Sequence, residues 1–141
     1  MASVVVRDAV FTCNVRSMVE AYAEKTHLMQ YFVGNATHGS DVAAMFYSSL
    51  VYNQSSTLFS DYQSYMISHA ITGDPNTLRA TDGTPSTIYW PLVSGVNAES
   101  LRNGLNVTDD GFELISDAQV LKSVCSVWQQ GLLEATLKGG Y

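Results

Sequence analysis

The chain has 141 residues, 46% of them apolar, and a formal net charge of −6. This composition is typical of a globular chain of one domain at most, and seven scattered Lys and Arg residues exclude a basic surface for nucleic acid. No apolar run approaches the roughly 18–20 residues of a membrane span, and Met1–Val10 lacks the features of a signal peptide.

The N-terminal part predicts an extended segment followed by a helix. The β-branched run Ser3–Arg7 is a strand or an extended lead-in. A helix is predicted from Asn14, which can act as its N-cap, to about Lys25. Its apolar side chains recur at helical spacing, at Val15, Met18, Val19 and Tyr22.

The next segment combines a short strand, a loop with one histidine and the start of a helix. Leu28–Val33 is apolar and stops at Gly34, which predicts a strand. His38 follows in the loop, at the carboxyl end of that strand. Loops at this edge of an α/β sheet commonly carry catalytic groups, because the sheet fixes their ends.

The helix after the loop should begin with Ser40 or Asp41 as its N-cap and end near Tyr52. The carboxylate of Asp41 suits a helix start, where backbone N–H groups are free. A metal pair of His38 and Asp41 would need two further ligands, and the sequence offers none.

The following segments predict one more helix and two strands. The amphipathic helix Phe59–Thr72 should end at Gly73, which can take the left-handed cap conformation. Thr87–Val93 is predicted as a strand, Asn97–Asp110 as a polar, turn-rich stretch, and Phe112–Ile115 as a short edge strand.

The last helix is predicted to start at a capping box made by Ser116 and Gln119 and to stop at Gly139. Its apolar residues should be buried. They are Leu121, Val124, Cys125, Trp128 and Leu132.

The loop His38-Gly39-Ser40-Asp41 resembles the catalytic-histidine loop of the type-B carboxylesterases, the α/β-hydrolase group that includes cholinesterases and fungal lipases. Four further segments are similar in the same order: Phe11-Thr12-Cys13-Asn14, Tyr62-Gln63-Ser64-Tyr65 running to Asn76, Tyr89-Trp90-Pro91 and Cys125-Ser126-Val127-Trp128. The resemblance covers nearly all of the chain but only the C-terminal quarter or so of such an enzyme. It implies an α/β fold in which residues 1–141 form a single domain, or the C-terminal part of an α/β-hydrolase, with few strands and several amphipathic helices.

The resemblance gives His38 the role of general base in a Ser-His-Asp/Glu triad. In such an esterase the imidazole takes the serine proton and returns one to the leaving alcohol. Its unperturbed pKa of about 6.5 allows both directions near neutral pH. The substrate would be a small-molecule ester, and no cofactor or metal is implied.

The other parts of that machinery are missing from the sequence. No serine lies in a Gly-x-Ser-x-Gly elbow, and Ser3 and Ser17, which precede His38, have no such context. A glycine-rich oxyanion loop is absent too. Three acids precede the histidine too closely to complete a triad: Asp8, Glu20 and Glu24. The isolated chain is therefore not expected to hydrolyse esters by the family mechanism.

The two cysteines lie too far apart for a metal knuckle or a Cys-x-x-Cys redox pair. In the family, a disulfide joins the helix before the histidine loop to a late helix with a Cys-x-x-Trp pattern. Cys13 and Cys125 match both positions, so the resemblance implies that they pair. Two buried free thiols are the alternative.

Three sequons, at Asn35, Asn53 and Asn106, are candidate glycosylation sites and suit a secreted protein. Secretion conflicts with the lack of a signal peptide in this chain. The conflict disappears if the natural polypeptide extends N-terminal to Met1.

Two hypotheses follow. In the first, the chain is the C-terminal segment of a secreted carboxylesterase or lipase and works with the N-terminal remainder of that enzyme. In the second, it is a stand-alone, non-catalytic binding or oligomerisation module derived from the fold. Open sheet edges and uncovered apolar surfaces would then favour self-association. Five aromatic residues are interpreted as core, or as the lining of an acyl pocket in the complete enzyme: Tyr47, Tyr52, Tyr62, Tyr65 and Trp90.

Overall fold

The chain combines helices with a three-stranded sheet in a computed structural model. The structure describes residues 6–22, 25–46, 56–81, 87–117 and 121–138. This mixture of helices and strands fits part of an α/β fold.

The chain divides into two compact units. One comprises Met1–Leu28, Leu92–Gly104 and Ile115–Tyr141, and the second comprises Met29–Pro91 and Leu105–Leu114. Each unit therefore brings together stretches that are far apart in sequence.

The sheet has the strand order β1-β2-β3, with β1 at Met29–Phe32, β2 at Leu101–Thr108 and β3 at Gly111–Asp117. Strand β1 runs parallel to β2, with Met29 opposite Leu105 and Phe32 opposite Thr108. Two residues connect β2 to β3, which makes that pair an antiparallel hairpin. The carboxyl ends of β1 and β2 thus lie at the same edge of the sheet.

The helices begin with a π-helical segment, Arg7–Thr12, that continues directly into an α-helix. The α-helices are α1 at Cys13–Ala21, α2 at Ser40–Met45, α3 at Ser56–Thr72 and α4 at Lys122–Lys138. No helix of the described residues is long and apolar enough to cross a membrane.

The core of the first unit is built around a disulfide between Cys13 of α1 and Cys125 of α4. Buried aliphatic residues surround it: Val19, Leu28, Val93 and Leu101. Arg16, also on α1, is only 1% exposed. Its guanidinium donates to the backbone carbonyls of Val96, Ala98 and Glu99.

The core of the second unit is aromatic. Tyr65 of α3 makes edge-to-face contacts with Trp90 and Phe112, with ring centroids 5.7 and 5.3 Å apart. Its hydroxyl donates to the carbonyl of Ile88 and accepts from the Ile88 N–H. Tyr62, one turn earlier, contacts Tyr31 of β1 in the same edge-to-face manner.

Two of the expected elements in the C-terminal half are wrong. Thr87–Val93 forms no strand, because side chains from α3 and the segment after it bind its backbone groups. The stretch Asn97–Asp110, expected to be irregular, contains β2, the middle strand of the sheet.

Helix boundaries differ from the expectations as well. The first α-helix covers Cys13–Ala21, and Arg7–Thr12 before it is π-helical. Helix α2 ends at Met45, and the expected end near Tyr52 falls outside the described residues. Ser116 belongs to β3, so it does not cap the last helix, which starts at Lys122.

That last helix is capped from another part of the chain. The Glu99 carboxylate accepts hydrogen bonds from the Ser123 N–H and from the Ser123 hydroxyl, and the Lys122 N–H donates to the Glu99 carbonyl. The bond from the Ser123 hydroxyl is the main reason why the pKa of Glu99 is lowered. A tertiary contact thus replaces the local capping box.

Candidate active site

His38 lies in the loop between β1 and α2, at the carboxyl end of β1, and its side chain is exposed. Hydrogen bonds fold this loop into successive tight turns. The Ala36 N–H donates to the Val33 carbonyl at 3.2 Å, and the Ser40 N–H donates to the Thr37 carbonyl at 3.0 Å. His38 is thus held by a short, turned segment on the end of a strand.

The loop needs residues in the left-handed backbone region. Gly34 and Gly39, which flank the turns, have φ values of +58° and +84°, and a Cβ at either position would meet no atom within 4 Å. The glycines are therefore required by backbone conformation and not by space. Ala36 also lies in this region, at φ +46°, where an alanine is uncommon.

The N-cap of α2 differs from the one expected. Gly39 occupies the cap position without a side-chain hydrogen bond, Ser40 is the first helical residue, and Asp41 lies in the first turn. Neither Ser40 nor Asp41 is therefore the cap. The Asp41 carboxylate still lies near the positive end of the helix, where a negative charge is favourable.

A second carboxylate reaches the loop from β2. Asp109, the first residue after that strand, accepts the Gly34 N–H at 3.2 Å through Oδ1 and 3.1 Å through Oδ2. This contact joins the start of the histidine loop to the β2–β3 turn, 75 residues later in the sequence. It was not anticipated from the sequence, although an Asp-Asp-Gly run between two strands is a signal for a hairpin turn.

Tyr31 of β1 and Tyr62 of α3, whose rings contact each other, both have raised pKa values. Burial is the main cause for Tyr62, followed by the charge of Asp41 and then by Tyr31, and the pKa reaches about 12. Burial also dominates for Tyr31, followed by the charges of Asp41 and Asp109. The Tyr62 side chain is fully buried, and its hydroxyl has no hydrogen-bond partner within the described part of the chain.

A cavity of about 280 Å³ borders the loop. This volume is close to the lower limit of about 300 Å³ for pockets that bind small molecules. Its lining combines polar groups from the loop with apolar side chains from β1, α2 and α3: Tyr31, Val33, Gly34, Asn35, Thr37, Ser40, Ala43, Ala44 and Phe59. The histidine loop is thus one wall of a space that could take a small chemical group.

The other expected site residues have different environments. Cys13 and Cys125 form the disulfide of the first unit, far from His38 in sequence. Asn35 is exposed in the histidine loop. Asn106 is 8% exposed in β2, and its Nδ2 donates to Glu113 Oε1 at 2.8 Å. Asn53 lies outside the described residues.

No group of three or more His, Cys, Asp and Glu side chains that could hold a metal ion occurs among the described residues. His69, on α3, is exposed. Of the five aromatic residues expected in the core, Tyr62, Tyr65 and Trp90 are buried, whereas Tyr47 and Tyr52 belong to a stretch that the structure does not describe.

Comparison with known proteins gives one extensive similarity. The chain is 56% identical, over all 141 of its residues, to a protein of Arthroderma benhamiae named a secreted lipase. The match covers 28% of the length of that protein. No protein-family model matches the chain, and no solved structure does. The chain is therefore similar, from its first residue to its last, to a part of a secreted lipase.

Proposed function

We propose that this chain is the histidine-bearing segment of a secreted type-B carboxylesterase or lipase. The observation that carries the proposal is the 56% identity to a secreted lipase along the whole chain. The resemblance of the His38 loop to the catalytic-histidine loop of that family gives the segment its specific role.

His38 acts as the general base in this proposal. It takes the proton of a serine hydroxyl as the serine attacks the ester carbonyl, and it then protonates the departing alcohol. The position of His38 at the carboxyl end of β1 supports this role, because its side chain is exposed on a loop whose ends are fixed.

The serine nucleophile and the triad acid come from outside these 141 residues. The chain spans about 28% of the length of its relative, which leaves ample sequence for both. The fold would then be the C-terminal part of an α/β-hydrolase, and the small-molecule ester would bind between this segment and the remainder of the enzyme.

Secretion follows from the same proposal. The relative is named a secreted lipase, and a disulfide joins Cys13 to Cys125, as is usual in oxidising compartments. Asn35, exposed on the histidine loop, is then the described sequon that a glycan can reach most easily.

The test is labelling of the native source with a fluorophosphonate, which reacts with activated serines, followed by mass spectrometry. We expect peptides of this chain in a labelled polypeptide that is much larger than 15.4 kDa, or in a complex with one. Their presence only in an unlabelled species of the chain's own size would contradict the proposal and favour a stand-alone binding module.

The role of His38 is tested by the His38→Ala variant of the full-length enzyme that the labelling identifies, assayed without the fluorophosphonate. We expect kcat to fall by about 10²- to 10⁴-fold. His69→Ala is the matched control, because His69 is also exposed but lies on α3. Equal activity of the His38 variant and the wild type would overturn the assignment.

A further inference from the structure

We propose that Asp109 is a positioning residue for His38. The inference rests on the proposed function, and it adds a residue that acts on the base through the loop backbone. Asp109 contacts the first residue of the loop, Gly34, and through it fixes where the loop leaves the sheet.

The contact between Asp109 and Gly34 lies just beyond the end of the backbone pairing between β1 and β2. Phe32 and Thr108 are the last paired residues of β1 and β2. Asp109 directly follows Thr108, and both of its carboxylate oxygens lie within 3.2 Å of the Gly34 nitrogen. The side chain therefore continues the connection between the two strands beyond the last backbone pair.

The backbone conformation of the histidine loop explains why a side-chain hydrogen bond is needed there. Gly34 and Ala36 both have left-handed backbone conformations, and such residues lie outside the regular ladder that pairs N–H groups with carbonyls. The Asp109 carboxylate thus stabilises the turn that sends the chain towards His38.

Hydrogen bonds of its neighbours close the turn that contains Asp109. Asp109 lies in the two-residue turn of the hairpin, where the Thr108 hydroxyl donates to the Gly111 carbonyl and accepts from the Asp110 N–H. From this turn the Asp109 carboxylate reaches the Gly34 N–H just beyond the end of β1, and no hydrogen bond joins Asp110 to Gly34 in the described part of the chain. The hairpin therefore supports the histidine loop that follows the neighbouring strand β1.

Loss of this anchor should affect turnover more than substrate binding. A general base must stay within hydrogen-bond reach of the proton it takes, and a small displacement of a reacting group costs much of the rate. We expect Asp109→Ala to lower kcat by about 10- to 100-fold and to change KM by less than about twofold. Asp109→Asn keeps an oxygen that can accept the Gly34 N–H, so it should restore most of kcat.

The control is Asp110→Ala, which removes an equal charge from the same turn and should keep wild-type kcat. Equal loss in Asp109→Asn and Asp109→Ala would overturn the proposal, because charge alone would then explain the effect. Wild-type kcat in Asp109→Ala would overturn it too. If Asp109→Ala does not fold, Asp109→Glu replaces it, since it moves the carboxylate by one methylene, and its kcat should fall.

A second measurement does not depend on activity. Hydrogen exchange at the Gly34 amide should be faster in Asp109→Ala than in the wild type and close to wild type in Asp109→Asn and Asp110→Ala. Unchanged exchange in Asp109→Ala would refute the anchor. If His38→Ala retains full activity while the Gly34 amide responds as expected, the proposed function fails and the anchor remains.

Discussion

The side-chain amide of Asn76 and the backbone of Trp90 exchange two hydrogen bonds. Asn76 Nδ2 donates to the Trp90 carbonyl at 2.8 Å, and Asn76 Oδ1 accepts from the Trp90 N–H at 2.7 Å. The segment that follows α3 thus takes the place of a neighbouring strand for the segment around Trp90.

We expect Asn76→Ala to lower the free energy of unfolding by about 2–4 kcal/mol, because it removes both hydrogen bonds between the Asn76 amide and the buried backbone of Trp90. Urea denaturation measures this change. Asn97→Ala, at an exposed position, is the control and should change the free energy of unfolding little. A loss of the same small size in both variants would show that water replaces the Asn76 amide.

In the first unit, we expect stability to depend in a similar way on the hydrogen bonds from the Arg16 side chain to backbone carbonyls. Its Nη1 donates to the Glu99 carbonyl at 2.8 Å and its Nη2 to the Ala98 carbonyl at 2.7 Å, from a position that is almost fully buried. A lysine keeps the charge but cannot reach several carbonyls with a planar group. We expect Arg16→Lys to cost about 2–4 kcal/mol in denaturant unfolding, whereas the exposed Arg102→Lys should be nearly neutral. If neither variant changed the free energy of unfolding, this account would be contradicted.

The disulfide closes a loop of 112 residues in sequence separation. In the chain-entropy account, removing such a crosslink lowers stability by up to about 4–5 kcal/mol, and by less when the unfolded chain is compact. We expect the double variant Cys13→Ser, Cys125→Ser to melt at a lower temperature than the wild type. Addition of a reductant should lower the melting temperature of the wild type only. A reductant effect on the variant would contradict the assignment.

The raised pKa of Tyr62 predicts that the folded chain loses stability at high pH. Its pKa is raised from 10.0 to about 12 in the folded chain, so folding favours the neutral phenol. The neutral phenol costs no stability through ionisation below the unfolded value of 10.0, and the free energy of unfolding falls as the pH rises from that value through the folded one. Urea denaturation at about pH 8 and about pH 11 should show a smaller decline with pH for Tyr62→Phe than for the wild type.

The same variant tests the buried hydroxyl at neutral pH. Tyr62→Phe removes a hydroxyl that has no partner among the described residues. We expect its free energy of unfolding to rise by about 1 kcal/mol. The exposed Tyr22→Phe is the control. A clear loss of stability in Tyr62→Phe would show that the hydroxyl is paired.

Glycosylation should distinguish the two described sequons. We expect a glycan at Asn35, which is exposed, and none at Asn106, whose amide nitrogen is buried and bonded to Glu113. Enzymatic deglycosylation in heavy-oxygen water converts an occupied Asn to a labelled Asp, which mass spectrometry detects. Heavy oxygen at position 106 would contradict the prediction. Asn97, which lies outside any sequon, is the control and reports background deamidation.

Sequence alone was sufficient where local signals decide the structure. The strand before the histidine was expected at Leu28–Val33 and is found at Met29–Phe32. Helix α3 ends at Thr72 as expected, and Gly73 adopts φ +78° with its N–H bonded to the His69 carbonyl. Apolar runs and a glycine cap carry this information within a few residues.

Elements that depend on distant partners were not predicted. Strand β2 contains Asn103, Gly104 and Asn106, which favour turns in isolation. In the fold Asn106 Nδ2 donates to Glu113 Oε1 across the hairpin, and Gly104 packs against Leu28 and Ile115. Similarly, no local pattern shows that Asp109 accepts the Gly34 N–H, because the two residues meet only when β1 pairs with β2.

The parallel pairing of β1 with β2 also sets an order of events during biosynthesis. Met29 pairs with Leu105, so the nascent chain must be extended by more than half of its length before β1 can find its neighbour. Such long-range contacts form slowly, because the intervening loop must first close. The turn around His38 can acquire its anchor only after Asp109 has left the ribosome. The loop that we assign to catalysis is therefore among the late parts of the second unit to become ordered.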